Sequence, residues 1–119
     1  MKRLLAIILL VFVATTAQAQ RPKDGRYTYA LAFAEWNGDT LGETCIVIIK
    51  GDRIKILKSK NSNLTGKGNV IDEGMLLKHA KTGHWIIAHR KQDQHAPEVG
   101  GCSDGPRVID FKKKTFWTC

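Results

Sequence analysis

The stretch TCIVIIK at Thr44–Lys50, the pair GD at 51–52 and the stretch RIKILK at Arg53–Lys58 decide the fold. β-Branched residues fill the first limb, a glycine and an aspartate break the run, and Ile54 and Ile56 then alternate with Arg53 and Lys55. A period of two around a two-residue break predicts a tight antiparallel hairpin with one wet side. The first limb is apolar on both faces, Ile46 and Ile48 against Val47 and Ile49, so an arm or a long loop is expected to cover its outer side.

The same grammar extends in both directions. Upstream, residues 27–36 (YTYALAFAEW) are aromatic and apolar and end at Asn37-Gly38, a strong turn signal. Residues 20–26 lack periodicity and are expected to form a flexible arm. Downstream, the polar stretch 59–68 predicts a loop with a short strand near Leu64. Residues 69–72 and 75–79 predict a second hairpin about Glu73-Gly74, residues 80–83 turn the chain, and 84–89 (HWIIAH) form a further strand. Residues 90–106 are polar and glycine-rich, a long connection of the kind that is often functional or pinned down. Residues 108–111 and 115–119 close the chain as a hairpin over Lys112, Lys113 and Lys114.

No window supports a helix longer than two turns. Seven or eight short strands in sequence order define an all-β fold, and residues 27–119 read as a single β domain. A small antiparallel meander is expected to close, or nearly close, into a barrel of 7–8 strands, because closure removes exposed edges; a two-sheet β-sandwich is the alternative.

Residues 1–19 read as a cleaved secretory signal peptide: Lys2 and Arg3, an apolar run over 4–13, and Ala17-Gln18-Ala19 before the cut. The run is about half the roughly 20 residues a spanning helix needs, so no transmembrane segment is expected. This predicts a soluble, exported protein, periplasmic or extracellular. Of the 19 Lys and Arg, 17 lie beyond residue 19, against 11 Asp and Glu, so residues 20–119 carry +6. That balance favours an anionic partner. Specific nucleic-acid binding is not expected, because no basic helix or alternation of aromatic and basic residues is present.

In an oxidising compartment two of Cys45, Cys102 and Cys119 should pair. Alternating strand directions through eight strands put Cys45 at one end and Cys102 and Cys119 at the other. A Cys102–Cys119 disulfide is therefore expected, with Cys45 left as a buried thiol.

Candidate chemistry is sparse. All four histidines fall in one stretch, His79, His84, His89 and His95, and a four-residue turn would set His79 across from His84 as a metal pair. The familiar zinc spacings are absent, and no cofactor is expected. Cys102, within Gly100-Gly101-Cys102-Ser103-Asp104-Gly105, could be a nucleophile with His95 as its base. Of the carboxylates, Glu35 shares a face with Tyr29, Leu31 and Phe33, while most others, among them Asp72 and Asp93, fall at turns or in loops. Asn63 begins a glycosylation sequon. Tyr29, Phe33, Trp36 and Trp85 are candidates to line an opening at the barrel's mouth.

These observations predict an exported small β-barrel binding module for an unidentified small or lipid-like ligand or an anionic macromolecule, with no catalysis expected. The first alternative is a cysteine- or metal-dependent enzyme using His79, His84, His95 and Cys102. The second is a structural, envelope-associated protein without a pocket.

Overall fold

A computed structural model describes residues 20–59 and 69–119. The expected leader over residues 1–19, the Asn63 sequon and the expected short strand near Leu64 lie outside the described residues.

The chain forms a closed barrel of seven strands arranged in sequence order: β1 (Gly25–Phe33), β2 (Thr44–Lys50), β3 (Arg53–Lys58), β4 (Val70–Lys78), β5 (Trp85–Ala88), β6 (Arg107–Asp110) and β7 (Thr115–Thr118). Each strand runs antiparallel to the next. The seam is different: β1 and β7 pair in parallel, Leu31 beside Phe116. An up-and-down chain with an odd number of strands ends in the direction it began, so its closing ladder has to be parallel.

The eighth strand of the sequence reading disappears because residues 69–79 are not a hairpin. They form the single strand β4, in which Gly74 lies opposite Ile54. Gly74 lacks the positive φ of the true turn glycines Gly51 (60°) and Gly83 (77°). Its missing side chain serves a close approach instead, since a Cβ there would strike the carbonyl of Ala88 on β5. The first strand also stops early, at Phe33. Residues Ala34–Trp36 make a 3-10 turn that ends at Asn37 in the left-handed conformation.

Side chains alternate in and out of the barrel. Leu31, Val47, Ile49, Ile54, Ile56, Ile87, Ile109 and Phe116, each 2% exposed or less, fill the interior. A second apolar layer lies outside, where Ile86, Ala88 and Val108 pack with Met75, Leu77, Trp117 and Val99 from the long loop. The long loop does cover an outer face, but that of β4–β7 and not the expected outer side of β2, where Ile46 and Ile48 stay partly exposed. It is fastened by Ala80 N–H to the Gln94 carbonyl (2.9 Å), by Gly100 N–H to the Pro106 carbonyl (3.0 Å) and by a disulfide. The start of the described chain is fastened as well. Gly25 and Arg26 already belong to β1, Asp24 accepts from Gly51 N–H (3.0 Å), and Arg21 donates to the Gly51 carbonyl.

The disulfide joins Cys102 to Cys119, with Cα atoms 4.9 Å apart. The pair is the expected one, but the reason differs. With seven strands the start of β2, the start of β6 and the end of β7 share one end of the barrel, so its length does not separate Cys45 from the others. Its wall does. Cys45 points into the core beside Val47 and Ile49, fully buried, whereas Cys119 follows Trp117 on the outer side and is exposed.

Candidate functional site

The end of the barrel where β1 finishes can be called its mouth, and strand pairing decides what lines it. Asp72 lies opposite inward-facing Ile56, Arg107 lies opposite inward-facing Ile87, and His89 follows Ile87 by two residues. Alternation therefore aims all three inward at the rim. The carboxylate of Asp72 is almost fully buried, its side chain 4% exposed. Its Oδ1 meets His89 Nε2 at 2.7 Å and accepts from Glu73 N–H at 2.9 Å, while its Oδ2 accepts from Arg107 Nη1 at 3.2 Å. A buried charge persists when it is paired and hydrogen-bonded. Gly74 makes this possible, because a Cβ there would stand 3.3 Å from the His89 ring.

Around this triad lies a polar pocket of about 350 Å³, walled by Arg90, Asp93 and the loop from Ser103 to Pro106. Asp93 accepts from the N–H of His89 (2.8 Å) and of Arg90 (3.2 Å). Partial desolvation pushes its pKa up, but these two bonds and the charges of Arg90 and His89 outweigh it and hold the carboxyl below its ordinary value. The loop closes on the strands at Gly101, where any side chain would collide with the Thr118 carbonyl.

A second cleft, of about 480 Å³, lies on the outer wall beside the disulfide. Val99, Val108, Trp117 and Ala34 give it apolar walls, with His84 and Lys113 at its edge.

The residues singled out from sequence mostly lie elsewhere. His79 is buried, with both ring nitrogens engaged: Nε2 meets the Ala96 carbonyl at 2.7 Å and Nδ1 the Thr82 hydroxyl at 2.9 Å. A carbonyl only accepts, so Nε2 carries the proton, and the ring staples the β4–β5 turn to the long loop. His84 is its main-chain partner (His79 N–H to the His84 carbonyl, 2.8 Å), with an exposed ring, and His95 is exposed on the 3-10 turn Lys91–His95. No group of three or more metal-ligating side chains occurs among the described residues. Cys102 is spent in the disulfide, which removes the thiol nucleophile of the enzyme alternative.

Tyr29 and Phe33 are core residues, 4% and 6% exposed, rather than the lining of an opening. Trp85 packs edge-on against Phe111 with Lys78 Nζ over its ring at 5.2 Å. Trp36 and Glu35 sit exposed on the 3-10 turn past the strand end. The mouth is lined by charge, not by aromatics. The sequence reading sets Asp72 at a turn, apart from the strand that carries His89, and so does not bring the two together with Arg107; an Asp on the inward-facing period of one continuous strand is the signal that does.

No helix among the described residues is long and apolar enough to cross a membrane. No family model, curated protein or solved structure matches this chain.

Proposed function

We propose that this protein is an exported binding module that holds an anionic macromolecule against the basic end of its barrel. The carrying observation is where the charge collects. At the end opposite the mouth, the lead-in to β1 and the β2–β3, β4–β5 and β6–β7 turns bring together Arg21, Lys23, Arg26, Lys50, Arg53, Lys78, Lys81, Lys112, Lys113 and Lys114. Only Asp24, Asp52 and Asp110 oppose them there, and Asp24 is paired with Arg21 at 3.2 Å. This end carries +7, against +6 for residues 20–119 as a whole. A cluster of one sign attracts polyanions at long range.

Two further features support this reading. The interior is filled, which disfavours a lipid-like ligand inside the barrel. Among the described residues the exposed large hydrophobics, Trp36, Leu41 and Val70, stand at the mouth end, and none stands at the basic end to wedge into a bilayer. Export is supported by the leader composition and by the disulfide, which persists in oxidising compartments. The outer cleft by Trp117 gives a small-ligand reading an apolar site.

Retention on immobilised heparin, compared across variants, tests the proposal. Replacing Lys112, Lys113 and Lys114 together with Gln should move elution to markedly lower salt, while Lys58→Gln with Lys91→Gln at the mouth end should leave it nearly unchanged. Equal effects at both ends would overturn the assignment.

A further inference from the structure

We propose that the mouth pocket is a binding site for a small oxyanion, a carboxylate or phosphate group, held by Arg107, His89 and Arg90. The argument is a count of hydrogen-bonding capacity. Acceptors around the pocket are largely spent: Asp72 already takes three bonds, and Asp93 takes two main-chain N–H groups with the Arg90 guanidinium at 3.7 Å. Donors are not. Among the described residues Arg107 uses only Nη1, Arg90 has no closer partner than Asp93, and His89 has one ring nitrogen beyond the bond to Asp72. A pocket whose paired carboxylates are largely spent while its arginine and histidine donors are in surplus suits a ligand that only accepts.

A second observation points the same way. Arg107 Nε is buried without a hydrogen-bond partner, an arrangement that structural arginines avoid. Asp72 holds the guanidinium through Nη1 alone, and the Arg107 side chain stays 37% exposed at the pocket. A local rule broken beside a preformed polar pocket is what a ligand site looks like. The disulfide and Gly101 fix the loop that walls the pocket, so little ordering is left for binding. The other charges around His89 are Asp72 on β4, Arg107 on β6, and Arg90, Asp93 and Asp104 on the loop. With Asp72 offset by Arg107 and Asp93 by Arg90, exposed Asp104 on the loop is the remaining negative group.

The site is independent of the basic end, and the test separates them. The His89 ring signals and the arginine side-chain N–H signals are followed by NMR at about pH 6 while sodium phosphate or sodium acetate is added, with sodium chloride matching ionic strength. Saturable shifts confined to the mouth with phosphate assign a phosphate-type ligand, and with acetate a carboxylate-type ligand. Shifts no larger than those from chloride overturn the proposal. Arg107→Gln should weaken binding about tenfold or more, the loss of a charge-assisted hydrogen bond. Should that variant fail to fold, Arg90→Gln and His89→Gln carry the test, because both side chains are largely exposed and each should weaken binding several-fold. Unchanged affinity in both overturns the proposal. Gln at Lys112, Lys113 and Lys114 should leave it unaltered; a matching loss there would mean general attraction to a basic protein and would also overturn it.

Discussion

Cys45 shows how burial alone sets the chemistry of a side chain. Its thiol pKa is pushed from 9.0 up to about 12 by desolvation, and Tyr29 beside it rises from 10.0 to about 12, first by burial and then by neighbouring charges. Both groups bind their protons more tightly folded than unfolded. Their stabilisation is therefore complete below about pH 9 and is lost as pH rises toward 12. Denaturation midpoints measured across that range should fall in the native protein, and Cys45→Ala should flatten the fall; an equally steep loss in the variant would place its cause elsewhere. The same burial predicts that alkylating reagents reach Cys45 only after unfolding, as a non-reducing peptide map with and without denaturant will show. Asp93 has the opposite sign. Its lowered pKa stabilises the long loop above the ordinary carboxylate range, near pH 3.8, and that contribution disappears as pH falls through its folded value. The protection of Arg90 N–H against hydrogen exchange, relative to its intrinsic rate at each pH, should therefore fall on acidification ahead of the barrel strands, and simultaneous loss would refute it. Little of this was legible in the sequence. A cysteine beside isoleucines reads as buried, but Asp93 sits in a polar run whose bonds exist only once the loop has folded back.

Among the elements, β4 separates what the sequence states from what it conceals. The β2–β3 hairpin was legible because its alternation and its glycine-aspartate break agree with one another. In β4 they conflict: Glu73-Gly74 resembles a turn, while Asp72, Gly74 and Leu76 keep the period of one continuous inward face. The conflict is resolved by β5, whose backbone presses so close at Ala88 that position 74 admits only glycine. Gly74→Ala should cost roughly 1–3 kcal/mol through overpacking. It should also separate His89 from Asp72, so the His89 ring signals should move by NMR even where urea denaturation shows the variant still folded. A variant with native stability and an unshifted His89 would show that β5 yields without difficulty. The disulfide belongs to this scale too, since it ties the long loop to β7. Cys102 and Cys119 are 17 positions apart, and Cys119→Ser should cost about 3 kcal/mol by the chain-entropy argument. The pairing was predicted correctly from a mistaken strand count. Counting strands fixes only which end of the barrel a cysteine occupies; inside or outside is fixed by alternation, and that is what isolates Cys45.

At the scale of the whole molecule, the closed barrel with its parallel seam turns a modest net charge into a strongly asymmetric one. Antiparallel neighbours send every second turn to the same end, and the turns at the end opposite the mouth carry Lys50 and Arg53, Lys78 and Lys81, and Lys112 to Lys114. None of this shows in composition, because the basic turns are far apart along the chain and meet only when the barrel closes. Gathering them has an energetic consequence of its own: the positive end repels itself when folded, and the unfolded chain relieves that repulsion. Added sodium chloride should therefore stabilise the protein. Between roughly 0.01 M salt, where the screening length is about 30 Å, and 1 M, where it is about 3 Å, the melting temperature should rise by several degrees, since about 1 kcal/mol corresponds to roughly 4–8 °C in a domain of this size. Replacing Lys112, Lys113 and Lys114 with Gln should raise the low-salt melting temperature and shrink its salt dependence, even as it weakens attachment to a polyanion. Opposite effects on stability and on binding would mark these lysines as held in place for a partner, whereas a loss of stability in the variant would mean that they support the β6–β7 turn and that the charge asymmetry serves the fold.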